Sequence, residues 1–264
     1  MLTDSEKGLV ATNMTDTNLL DIDELQMYFR EPFHINDKIT IYQPTLGDVI
    51  TFGERKYYNI VHTLTCIPAD MMSQLADINI DYMEISDFEL FVMLSRGMTK
   101  ESTYLLFGDL DLSTFKPCIS QENGEMVLYN MDTGAVIDRL IHMKMVEYIR
   151  KMHSIPKPKS RRHAANKTTK RILIEEDRKR LQKARTEPYK SQLKELISAM
   201  MRYPGFKYKS NELKQCGLYE FMDTVQGAQI YVSTTSLLSG MYSGMIDTSK
   251  INKKEFNWMR SLDE

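Results

Sequence analysis

The stretch 157-KPKSRRHAANKTTKRILIEEDRKRLQKAR-185 divides the chain. It is basic and free of Phe, Tyr and Trp, and two prolines, Pro156 and Pro158, stand at its start. Proline lacks a backbone donor and fixes φ, so no helix runs through that pair. Residues 157–170 carry few apolar anchors and read as a flexible connection. From 171 the composition turns helix-friendly: Glu175, Glu176 and Asp177 precede Arg178, Lys179 and Arg180. A helix there is expected to be exposed and held by side-chain charge pairs worth only about 0.2–0.5 kcal/mol each.

Charge follows the same division. Residues 1–150 carry 11 Lys/Arg against 24 Asp/Glu, residues 151–185 carry 13 against 3, and residues 186–264 carry 10 against 9. The overall net charge of −2 conceals this asymmetry. An acidic segment followed by a basic one implies contact between them or two partners of opposite sign; the plainer reading is a solvated helix face and a soluble connection. The 264 residues are 42% hydrophobic, enough for one large domain or two small ones.

Working outward from the joint gives a mainly α fold (α+β) of two helical lobes. The expected organisation is a mobile tail over 1–18, an acidic helical lobe with a small β element over 19–154, the basic and partly helical joint over 155–186, and a helical lobe over 187–264. In the first lobe, residues 19–30 read as a short helix and KITIY (38–42) as a strand. Tyr57, Val61 and Leu64 recur at helical spacing, and Pro68 opens a further helix. Ser86 and Glu89 form a capping box ahead of Phe88, Phe91 and Val92, with Gly97 as the stop. Residues 115–120 and 126–129 read as a β-hairpin around Asn123-Gly124. A long helix is expected over 135–152, with Met145 and Tyr148 on its apolar face. In the second lobe, Tyr189, Leu193, Leu196, Ile197 and Met200 mark an amphipathic helix. Phe221 and Met222 lie on another, expected to be interrupted or slightly bent near Gly227 and to continue toward Tyr242. Residues 251–262 read as a closing helix.

Chemistry is sparse. His62 and Cys66 stand at i, i+4, but zinc needs further ligands and none has matching spacing. Asp109 and Asp111 resemble the opening of a calcium loop, yet Thr114 and Ser120 occupy the positions that need Gly and Glu. Glu84, Asp87 and Glu89 fan around a helix instead of pairing. There is no phosphate-binding glycine loop and no nucleophile elbow. No metal, cofactor or enzymatic activity is therefore expected. Cys66, Cys118 and Cys216 are odd in number and widely spaced, which fits a reducing compartment. The polar, acidic start argues against a secretory leader, and no apolar run reaches membrane-spanning length. Nineteen methionines suit adaptable surfaces or core filling. Arg161, Arg162, Lys170, Arg171, Arg178, Lys179 and Arg180 could meet phosphates, but without interleaved aromatics nucleic-acid binding is not the favoured reading.

Three groups of residues carry a resemblance: PTLGDVITFGERKYY (44–58); DYMEISDFELFVMLSRG (81–97) with LLFGDLDLSTF (105–115); and GLYEFMDTV (217–225) with LLSGMYSGMIDTSKINKKEFNWMR (237–260). Together they resemble the tail assembly chaperones of long-tailed bacteriophages infecting Gram-positive bacteria. The resemblance implies a non-enzymatic role in the host bacterial cytoplasm. Such proteins coat the helical, aggregation-prone tape measure protein, recruit the major tail (tube) protein, and are absent from the mature virion. In many relatives a short product carries the first lobe alone and a longer product adds the second. A groove for an amphipathic helix needs apolar lining. The residues expected to supply it are Phe88, Phe91, Val92, Met145, Tyr148, Phe221, Met222 and Tyr242, with self-association left open. The alternatives are a structural tail or baseplate protein retained in the virion, or a non-specific nucleic-acid-binding phage protein.

Overall fold

Helix boundaries in the N-terminal half follow local chemistry. In the computed structural model, which describes residues 22–121, 124–158, 164–247, 249 and 251–260, α1 (Glu24–Tyr28) starts where the Asp23 carboxylate accepts from the Leu25 and Gln26 amides. α2 (Leu46–Phe52) is opened by a reciprocal box between Thr45 and Asp48. It ends at Gly53, whose φ of +100° few other residues adopt, and α3 (Glu54–Thr65) sets off in a new direction. The expected tail over 1–18, the beginning of the first helix, Asn123, Arg161, Arg162 and residues 261–262 lie outside the described residues.

After α3 a short 3-10 turn at Pro68–Asp70 leads into α4 (Met72–Asp77). α5 (Asp87–Ser95) has the expected box between Ser86 and Glu89. α6 (Lys100–Phe107) stops at Gly108.

The β structure is richer than expected. The strand at 38–42 is β2 (Ile39–Ile41), paired antiparallel with β1 (Phe33–Asn36), Phe33 opposite Ile41. β1 carries no strong strand signal, because FHIN has one exposed polar residue for each half-buried apolar one and no turn glycine. The hairpin of β3 (Lys116–Ile119) and β4 (Met126–Tyr129) gains a third strand, β5 (Val136–Ile137), in the order β3-β4-β5. β5 takes residues assigned to the long helix. That helix, α7 (Arg139–Met152), starts later because Asp138 caps it, accepting from the Ile141 amide at 2.7 Å.

Beyond the joint run α8 (Lys167–Thr186), α9 (Gln192–Arg202), the single turn α10 (Ser210–Leu213) and α11 (Leu218–Tyr242). α11 runs without interruption through Gly227. The closing helix shrinks to a 3-10 turn at Lys253–Phe256.

The mainly helical α+β reading holds; its separation into two lobes does not describe how the core is built. One cluster of buried side chains takes Tyr57, Val61, Phe91, Tyr148 and Ile149 from before the joint and Leu193, Leu218 and Phe221 from after it. Backbone bonds cross the same seam: the Leu46 amide donates to the Cys216 carbonyl at 3.1 Å, Gly47 to Lys214 at 2.8 Å, and Leu218 to Pro44 at 3.2 Å. A Cβ on Gly47 would stand 2.8 Å from the Lys214 carbonyl oxygen, so this approach depends on glycine. The cause is amphipathicity: helices of this size cannot bury their apolar faces alone and complete one another's core.

The joint also differs from a loose hinge over its helical part. α8 lies along α4, and its side facing the body carries Lys170, Leu173, Ile174, Asp177, Arg178 and Leu181, a stripe at helical spacing. Leu173 and Ile174 pack on a second, smaller cluster of Met72, Leu75, Tyr82, Ile85 and Leu90.

Candidate functional site

The side chains expected to line a groove fall into two groups. Phe88, Phe91 and Val92 are buried, and the first two rings lie against the His142 imidazole with centroids 5.7 and 4.5 Å away. Met145, Tyr148 and Phe221 are also buried, and Gln43 donates to the Tyr148 hydroxyl at 2.9 Å. These six are core: large apolar side chains on adjoining helices meet one another before they meet a partner. Met222 is half-buried at a cavity of about 420 Å³, also lined by Tyr58, His62, Cys66, Arg150 and Leu193. Tyr242 is 81% exposed.

Chemistry at the cavity is muted. Burial pushes the Cys66 thiol up to about 12, leaving it protonated at neutral pH. Burial holds Arg150 below its usual value against the opposite, raising effect of the neighbouring acids, and its guanidinium donates to the Thr65 carbonyl. Among the described residues no three His, Cys, Asp or Glu side chains are placed to hold a metal ion. Asp111 caps a short turn through Ser113, and Asp109 pairs with Lys100.

The basic stretch faces the acidic part of the body. Lys170 pairs with Asp81, Arg178 with Asp77 at 2.5 Å and with Glu175 at 3.1 Å, and Arg180 with Asp177 at 2.6 Å. Arg171 and Lys179 are exposed. The charge asymmetry of the sequence is thus partly spent within the molecule, and a phosphate would compete with carboxylates for three of these cations.

Asp177 is the buried centre of this contact, 3% exposed. Its carboxylate accepts from the Ser73 hydroxyl at 2.7 Å and the Ser73 amide at 3.0 Å. Burial raises its pKa, but the Ser73 bonds and Arg180 outweigh burial and hold it below the usual aspartate value. α4 has no side-chain cap of its own, so Asp177 completes it from 104 residues away.

One group of exposed apolar side chains lies along α11 and the segment after it. α11 roots in the core through Leu218, Phe221 and Val225, and Thr234 is its last buried residue. Residues 224–246 contain no charged side chain. Beyond Thr234 the helix has no fully buried side chain, and the uncharged stretch, the arm, bears exposed Tyr231, Val232 and Tyr242, followed by Met245, which is 84% exposed. Two of its hydroxyls are turned inward: Thr235 donates to the Tyr231 carbonyl at 2.7 Å and Ser236 to that of Val232 at 2.9 Å. Donors satisfied in this way add little polar cost when an apolar partner covers the helix.

The terminal segment folds back on the base of the arm. Thr234 donates to the Glu255 carbonyl at 3.1 Å, and the Trp258 ring meets Tyr231 edge-on at 6.2 Å. Beside them opens a cleft of about 360 Å³ lined by Tyr203, Phe206, Tyr208, Tyr231 and Trp258. Trp258 and Met259 remain 56% and 73% exposed. Of the residues singled out from sequence only Tyr242 belongs to this surface. The signal that marks the rest is the charge-free run ending at Asp247, which apolar spacing does not reveal because serines, threonines and glycines interrupt it.

The chain matches no family model, no curated protein and no solved structure in comparisons with each. No described helix is long and apolar enough to cross a membrane.

Proposed function

We propose that this protein is a tail assembly chaperone of a long-tailed bacteriophage, acting in the host bacterial cytoplasm. It shields the helical tape measure protein and brings tail tube subunits to it, without bond-making chemistry. The observation that carries the reading is the α11 arm: an uncharged helix with exposed apolar side chains, on which the Thr235 and Ser236 hydroxyls are internally bonded, edged by Tyr242, Met245, Trp258 and Met259. An apolar helical client is protected by a surface that gains from covering it and costs little to desolvate. Methionine and aromatic side chains adapt to successive segments of a long client. The residue patterns at 44–58, 81–97 with 105–115, and 217–225 with 237–260 support the same reading, and the last pair includes parts of the arm and its terminal segment.

The partner surface is accordingly placed on the arm and not on Phe88, Phe91 or Val92. Co-expression with the tape measure protein is the test. Tyr242→Glu with Met245→Glu is expected to lower co-purified client at least about tenfold, since two charges would be desolvated on contact. Circular dichroism and thermal midpoint should stay unchanged, because both side chains are exposed. Undiminished co-purification contradicts the placement, and absence of a complex with the unaltered chain contradicts the function.

A further inference from the structure

The contact between α8 and α4 is built unlike the rest of the interior. Elsewhere helices are joined by fully buried apolar side chains; here the apolar part is the half-buried pair Leu173 and Ile174. The remainder is polar: buried Asp177 on Ser73, with Lys170 to Asp81 and Arg178 to Asp77 beside it. Asp177 is the one buried residue on a twenty-residue helix, and Ile172 on its outer side is half exposed. The C-terminal turn beyond Leu181 has no buried or half-buried side chain. A helix held by so little apolar burial opens at a lower free energy than the body beneath it.

What α8 covers is an apolar floor of Met72, Leu75 and Tyr82, edged by Ile80 and Met83. Two acids, Asp77 and Asp81, stand along it, and the Ser73 hydroxyl and amide point at the incoming carboxylate. This is the form of a groove for an amphipathic helix, read by anchors along one face. α8 supplies the pattern that fits: a cation, two adjacent aliphatic residues, an acid three positions after the second, and a cation next to it.

We infer that the α4 groove is a second docking surface, that α8 is its internal occupant, and that an amphipathic helix of the client with this pattern displaces α8. The inference deepens the chaperone reading and rests on it for the identity of the client. It gives the molecule two client contacts of different kinds. The arm is open and unselective. The groove is covered until a helix with a correctly spaced carboxylate competes for Ser73, so free protein keeps Met72, Leu75 and Tyr82 out of water.

The probe is a fluorescent peptide of residues 167–186, added to the full chain. The unaltered chain is expected to bind it weakly, because its own α8 holds the groove and lowers the apparent affinity by the fraction closed. Leu173→Asp with Ile174→Asp releases α8 and should raise peptide affinity about tenfold or more. The same peptide with Asp177→Ala should lose about tenfold, having no carboxylate for Ser73. Hydrogen exchange on the unaltered chain adds a reading that needs no variant: residues 70–85 and 167–186 should exchange faster in about 1 M salt than in 0.1 M, with α3 and α7 unchanged. Absence of peptide binding to both chains overturns the inference. So does a released chain that dimerises by trading its own α8, or exchange of α8 only together with α7. None of these readings involves a tail protein, so failure here is distinct from failure of the co-purification test.

Discussion

Two buried histidines show how single side chains tie the core to pH. The His153 Nδ1 atom lies 2.6 Å from the Ile149 carbonyl and Nε2 lies 2.8 Å from the Tyr57 hydroxyl, so a neutral ring donates at one nitrogen and accepts at the other. Burial pushes its pKa down to about 4. His142, packed between Phe88 and Phe91, is also lowered to about 4, by burial and then by the charge of Arg150. An unfolded histidine titrates near about 6.5. Between those values the unfolded chain binds more protons, so stability is complete above about pH 6.5 and is lost as pH falls toward 4. The loss is on the order of 3 kcal/mol per histidine. Urea unfolding at several pH values measures it, and His142→Gln should reduce the slope over that window by one proton. An unchanged slope would mean that His142 is already charged in the folded state. The carboxylates of Asp81 and Asp177 act lower. Both are held below their ordinary value, Asp81 mainly by Lys170, so their contribution is complete above about pH 4 and fades beneath it. The residue scale was also the hardest to read in advance. Phe88, Phe91 and Val92 present the same spacing whether their face meets a neighbouring helix or a partner, and nothing local separates the two.

Elements were more legible, for a physical reason. Capping and stop signals act within one turn, so Ser86 with Glu89 and the prolines before the joint could be read where they stand. β5 and the late start of α7 could not, because Val136 and Ile137 suit a strand or a helix until β4 is present to pair with them. α8 is the instructive case. Its helical composition is plain, but the stripe Lys170, Leu173, Ile174, Asp177, Arg178 and Leu181 is mostly charged, and apolar periodicity alone passes over it. The seam between α2 and α11 is likewise invisible in sequence, since it is made by backbone groups of Leu46, Gly47 and Leu218. Its sensitivity can be measured. Gly47→Ala sets a Cβ against the Lys214 carbonyl, and backbone on both sides must shift. A loss of about 1–3 kcal/mol is expected, larger than the roughly 1 kcal/mol gained from alanine's helix propensity. A lower denaturant midpoint at constant slope would show it. A rise in stability would mean that the seam is not closely packed.

On the scale of the whole molecule, the composition change at the joint is real but does not mark a break in the core. Residues on both sides share one cluster, the basic helix lies on the acidic part, and the far half of α11 with the segment around Trp258 keeps Tyr242, Met245, Trp258 and Met259 exposed. The mainly helical class follows from spacing and caps. The union of the two halves follows from surfaces that each half leaves incomplete, which only assembly reveals. The proposed function is assigned to the arm because exposed apolar area without charge is costly to keep in water and is the kind of surface a partner would cover. The most direct measurement is hydrogen exchange of the intact chain with and without a tape measure segment. The account predicts new protection over 231–246 and around 256–260, with α3 and α7 unaffected. Protection confined to other surfaces, or a bound client that leaves the arm exchanging freely, would contradict it.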